Sequence, residues 1–166
     1  MALRTVRIAG DPVLGKKCRE VEEMTPRLRE LIGDMFETMY EAQGVGLAAP
    51  QVGILKRIVV IDCTGEDPIT LINPRIVETE GEQDGEEGCL SLPGKSGRVI
   101  RPRYVKVEAL DIDMNPITLE GEDLLARAFC HEIDHLDGHM YMEKVIGEVH
   151  DVSMPDDFDE YEEIED

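Results

Sequence analysis

Apolar residues recur at intervals of three and four through Leu28, Leu31, Ile32, Met35, Phe36, Met39 and Tyr40, the period of a helix with one buried face. Thr25 and Pro26 supply an N-cap and a first helical position, and Gly44 a stop, so the pattern predicts an amphipathic helix over 26–42. A second stripe, Leu125, Phe129, Ile133 and Leu136, lies between Gly121 and Gly138 and predicts a helix over about 122–136. Between the two the period shortens. Arg57 to Cys63 is rich in β-branched residues and reads as a buried strand, and Thr70 to Val77 as a weaker one. Arg98 to Asp113 alternates and predicts one or two antiparallel strands, with Met114-Asn115-Pro116 turning the chain. Gly44 to Gln51 holds two glycines and Pro50 and reads as a loop or irregular strand. These elements, without βαβ alternation, predict an α+β fold: short, mostly antiparallel strands packed around a central helix carrying His131 to His135, with a second amphipathic helix near the amino terminus.

Composition adjusts this picture in two places. The 166 residues suit one domain. Seventeen Lys and Arg against 37 Asp and Glu give a net charge of −20, which argues against direct nucleic-acid binding. Ten of the acids lie between Glu148 and Asp166, where there is no Lys or Arg, so residues 1–147 read as a single catalytic domain and 148–166 as an acidic tail, disordered or loosely docked. No stretch has the apolar length of a signal peptide or a membrane span. Cys18, Cys63, Cys89 and Cys130 form no CxxC pair, and a cytoplasmic location is expected.

The second helix contains His131-Glu132-Ile133-Asp134-His135, an HExxH string. Residues four apart on a helix share a face, so both imidazoles can converge on one cation with Glu132 beside them. A catalytic site of this kind wants a third protein ligand and an open position for water. Downstream, HExxHxxG continues to Tyr141, where a metzincin protease would have its third His. His139 follows the expected helix stop, and Glu143 or Glu148 would serve a zincin-type endopeptidase. Upstream, Cys89 follows Gly88, and a thiolate there would complete a Cys-His-His set.

Three blocks in order, Gly44 to Gln51 (GVGLAAPQ), Glu87 to Ser91 (EGCLS) and His131 to Gly138 (HEIDHLDG), resemble the signature of the peptide deformylases. The surrounding sequence from about Val6 to Met142 is similar to that family in block spacing. The resemblance implies removal of the formyl group from formyl-methionyl ends of nascent peptides, with release of formate. It implies metal ligands Cys89, His131 and His135, with Fe(II) as the native ion and zinc, nickel or cobalt as alternatives. Water activated at the ion attacks the formyl carbon, Glu132 acts as general base and then acid, and the Gln51 amide and Leu90 N–H receive the oxyanion. Val45, Gly46 and Leu47 would pair with the substrate backbone. Leu124 and Ala128 would wall the methionine pocket, Arg127 would flank it or face solvent, and Arg98 would match a substrate-side arginine if one residue is inserted after Pro93. Glu87 and Arg103 are expected to pair and fix the Cys89 loop. Where members often have Gln before the first metal His this chain has Cys130, expected to point away from the ion. Some bacterial members end in a basic helix suited to the ribosome. Here the end is acidic, so any ribosome contact is expected to use another route.

Overall fold

The computed structural model describes residues 2–152. Thr25 caps the first helix: its hydroxyl accepts the Leu28 N–H at 3.1 Å, Pro26 takes the first helical position, and α1 spans Pro26–Glu41. It stops as Gln43 turns left-handed, with φ 59°, and the Gly44 N–H closes on the Met39 carbonyl at 2.9 Å. Eight strands follow: β1 (Gly46–Ala48), β2 (Ile58–Ile61), β3 (Ile69–Glu80), β4 (Gln83–Cys89), β5 (Leu92–Arg101), β6 (Tyr104–Leu110), β7 (Pro116–Glu122) and β8 (His150–Asp151). The second helix, α2, spans Leu124–Leu136. The strands form a five-stranded sheet ordered β1-β2-β3-β6-β7 and a three-stranded one ordered β4-β5-β8, and the paired strands are antiparallel. The described residues thus form an α+β fold of mostly antiparallel strands with two α-helices.

Strand β2 explains the layering. Val59 and Ile61 join the core around Phe129, Ile133 and Leu136 of α2, whereas Ile58 and Val60 join the core around Ile32, Met35 and Met39 of α1. Successive strand residues point to opposite faces, so the larger sheet carries α2 on one face and α1 on the other. That double cover is why β2 is apolar throughout and fully buried. Each of its Val and Ile side chains contributes about 1.5–3 kcal/mol by burial.

Three boundaries depart from expectation. The alternation from Arg98 to Asp113 is divided between sheets: Arg98 to Arg101 ends β5 and Tyr104 to Leu110 forms β6. Pro102, which has no N–H for a ladder, stands at the break. Glu122, expected to open the second helix, closes β7, and α2 starts two residues later, after Asp123 at φ 55°. The stretch Gly44 to Gln51 resolves into β1 and a 3-10 turn, Ala49–Val52. Of the acidic tail, His150 and Asp151 pair with Ser96 and Lys95 of β5, and residues 153–166 lie outside those described. Among the described residues no helix is long and apolar enough to cross a membrane.

Candidate active site

The face of α2 that carries HExxH looks toward the turn between β4 and β5. Cys89 ends β4, and its Sγ lies 3.3 Å from His135 Nε2. One ligand atom from each of Cys89, His131 and His135 lies within 4.8 Å of the other two. His131 Nδ1 is engaged by Glu87 Oε1 at 2.8 Å, which fixes the ring and leaves Nε2 for the site. Tyr141, at the position a metzincin would give its third His, is buried and stacks on His131, with centroids 5.9 Å apart. His139 and Glu143 bond to each other at an exposed position, apart from the three donors.

Charge around the donors is arranged for a cation. Burial disfavours the charged form of His131, but Glu132, Cys89 and Glu87 outweigh it and hold the imidazole well above its ordinary range. A ring held beside the Glu87 carboxylate and two further acidic groups suits a positive ion next to it. Burial pushes His135 down to about 3, with His131 acting in the same direction, so this ring keeps a free lone pair. A thiol and two imidazoles beside a cavity form a donor set that fits a divalent transition ion with an open position. The Ser91 N–H and Gln51 Nε2 reach Cys89 Sγ at 3.4 and 3.5 Å, as donors to a thiolate would.

Glu132 is 4% exposed, with one carboxylate oxygen lacking a hydrogen-bond partner among the described residues. Burial pushes its carboxyl up to about 7, Glu87 and Asp134 adding to the effect while His131 and Arg101 oppose it. A carboxyl poised near neutrality can take up and return a proton. Gly46 makes this placement feasible: a Cβ there would sit 2.6 Å from Glu132 Oε2. Gly44 has a similar reason, since its Cβ would meet Leu90 Cδ1 at 2.8 Å.

Behind His131 stands a buried ion cluster. Arg101 donates to both oxygens of Glu87, at 2.7 and 2.9 Å, and to Asp134 at 2.8 Å. Arg127 donates to Glu87 Oε2 at 2.7 Å and to the Val99 carbonyl at 3.1 Å. Burial opposes the Glu87 anion, but the bonds from Arg101 and His131 prevail and hold its carboxyl well below the usual range. The expected Glu87–Arg103 pair is therefore replaced by Glu87 with Arg101 and Arg127. Arg103 follows Pro102 out of the ladder and is exposed.

A cavity of about 520 Å³ opens onto this centre. Val45, Gly46, Gln51, Cys89, Leu90, Leu124, Arg127, Ala128, His131 and Glu132 all line it. Gln51 is held by three bonds: its Oε1 accepts the Ala48 N–H at 2.9 Å, and its Nε2 donates to Ser91 Oγ at 3.0 Å and more weakly to Cys89 Sγ. Leu47 is not in the wall but fully buried in the α1 core. Arg98 is also outside the lining, exposed and bonded to Asp84. Arg127 does not face solvent, and Cys130 packs into the α2 core. Sequence reasoning assigned no role to Ser91, Arg101 or Val6. Ser91 stands within the EGCLS block and could have been found there, whereas Arg101 and Val6 carry no local signal.

Known proteins place this arrangement. A family model described as polypeptide deformylase matches residues 3–150. A peptide deformylase of Agathobacter rectalis is 67% identical over 156 residues, covering 94% of this chain and 98% of that protein. The crystal structure of a peptide deformylase from Legionella pneumophila superposes with a TM-score of 0.85 at 44% identity, covering 87% of each chain. One from Synechococcus elongatus, in complex with actinonin, gives 0.83 at 42% identity over 86% of this chain and 78% of that one. The chain belongs to the peptide deformylase family of metal-dependent hydrolases.

Proposed function

We propose that this chain hydrolyses the formyl group from formyl-methionyl ends of nascent peptides, with Cys89, His131 and His135 as metal ligands and Glu132 as general base and acid. The observation that carries it is the convergence of those three donors within 4.8 Å of one another, with Cys89, His131 and Glu132 in the wall of one cavity. A divalent ion held there, Fe(II) natively with zinc, nickel or cobalt able to replace it, supplies Lewis acidity toward water and the formyl carbonyl. Glu132 takes a proton from the attacking water as the new C–O bond forms at the formyl carbon. The Gln51 amide and the Leu90 N–H face the oxygen that gains charge, fixed beforehand by the bonds around Gln51. As the C–N bond breaks, Glu132 returns the proton to the departing amine, and formate and a free amino end result.

Substrate binding follows from the lining. β1 is the edge of the larger sheet, so an extended peptide can pair with Val45 to Leu47 while methionine enters between Leu124, Arg127 and Ala128. Arg98, tied to Asp84, is left without a part in this. Residues 1–147 act as one catalytic domain centred on α2, with 148–166 an acidic appendage. Work on nascent chains suits the cytoplasm, as do four free cysteines.

The test is formate release from a formyl-Met peptide by reduced protein loaded anaerobically with Fe, Ni or Co. Glu132→Ala should keep the metal and lose turnover. Metal-loaded parent protein that releases no formate overturns the proposal.

A further inference from the structure

Residues 2–9 are held down by polar bonds, although they have apolar side chains to offer. Leu3 and Ile8 are exposed. Instead, α1 presents two buried polar side chains a turn apart, Asp34 and Thr38. Asp34 Oδ1 accepts the Ala2 N–H at 2.7 Å, Oδ2 accepts Arg4 Nε and Nη2 at 2.9 Å, and Thr38 Oγ1 accepts the Arg4 N–H at 2.9 Å. A buried carboxylate without such partners would be costly, so Asp34 is committed to this segment.

Farther along, the same strap touches the catalytic wall. The Arg7 N–H donates to the Gln51 carbonyl and the Ala9 N–H to the Ser91 carbonyl, both at 2.7 Å. Gln51 follows β1 of the larger sheet and Ser91 precedes β5 of the smaller one, so two N–H groups two residues apart splint parts of different sheets. The side chains of Gln51 and Ser91 bond to each other across the same gap, at 3.0 Å. Between Arg4 and Arg7, Val6 lines the cavity. Slack in the strap would let the Gln51 amide drift from Cys89 and Leu90, and displacement of about 1 Å can cost a reaction up to a hundredfold.

We infer that Arg4 and Asp34 are positioning residues: their ion pair latches residues 2–9 to α1 and thereby holds Gln51 and the Cys89-Leu90-Ser91 turn in register for the reaction. This role presupposes the formyl hydrolysis proposed above.

The experiment compares the metal-loaded parent with Arg4→Gln and Arg4→Lys by formate-release kinetics and amide hydrogen exchange. Arg4→Gln should lower kcat roughly tenfold with KM changed by less than about twofold, the mark of an interaction acting after binding. The Arg7 and Ala9 amides should exchange faster while α2 keeps its protection, and Arg4→Lys should recover most of the kcat. Parental kcat in Arg4→Gln, unchanged exchange at Arg7 and Ala9, or a kcat loss that tracks lost protection in α2 each overturns the latch. A parent that releases no formate strikes the proposed function instead, and exchange at Arg7 and Ala9 still decides whether Arg4 holds the strap.

Discussion

Two arginine–carboxylate pairs on the β4–β5 ribbon share one design and differ in consequence. Asp84 with Arg98 and Glu87 with Arg101 are each separated by fourteen residues, and in both the guanidinium takes both carboxylate oxygens. The side chains of Glu87 and Arg101 are 4% exposed, whereas those of Arg98 and Asp84 are 52% and 44% exposed. In water the attraction between such groups is nearly cancelled by hydration and side-chain entropy. In the interior the same contact is worth far more, because losing either partner strips a buried charge of its bidentate counter-ion and leaves only Asp134 for Arg101, or Arg127 and His131 for Glu87. The buried pair has a further duty, since Glu87 also orients His131. Burial, not pairing geometry, decides which pair matters to the site.

The largest effect should come from breaking the buried pair: Arg101→Ala is expected to lower stability by about 3–5 kcal/mol in urea unfolding. Should it cost no more than a surface substitution, the contrast between the pairs collapses. Next, Glu87→Gln should weaken metal binding about 10–100-fold in a chelator competition, because the acceptor that fixes the His131 ring loses its charge and an amide NH2 is set against the Arg101 and Arg127 donors. Asp62 sharpens the contrast as a buried carboxylate with neutral partners, taking the Tyr40 hydroxyl at 2.6 Å and the N–H groups of Thr64, Gly65 and Asp67. The Tyr40 bond, with help from those N–H groups, holds its carboxyl below the usual range. A folded pKa depressed below the unfolded value near 4 contributes stability above that pH, lost as pH falls through the folded value. Asp62→Asn should therefore flatten the acid limb of a stability–pH curve, and an unchanged limb would show that these bonds do not distinguish the folded carboxylate. The smallest effect belongs to Arg98→Ala, expected to change stability by less than about 1 kcal/mol and leave formate release at parental rates. A KM rise there would return Arg98 to the substrate path.

What was legible in the sequence follows the same division between local and distant causes. Helix α1 was readable almost to the residue because Thr25, Pro26 and the apolar stripe act within the segment. The Cys-His-His set was readable through its blocks, since the spacing of His131 and His135 is a local property. Strand β4 was not: Gln83 to Cys89 has no β-branched residue, and it is a strand through its pairing with β5. The partner of Glu87 was missed by two positions, as only the tertiary path past Pro102 shows that Arg101 stays in the ladder and Arg103 leaves it. The block gives Leu47 a place along the substrate backbone but says nothing of its side chain, which alternation along β1 turns into the α1 core.

Gly46 has a consequence for what the cleft can distinguish. Its Cα stands where any side chain would collide with the Glu132 carboxylate, so at that point β1 shows an arriving peptide only amide hydrogens and carbonyl oxygens. Those groups are common to every peptide. Under the proposed function an edge of this kind is blind to side chains, which would leave discrimination to the pocket at the peptide's first residue and let chains of unrelated sequence use one entrance.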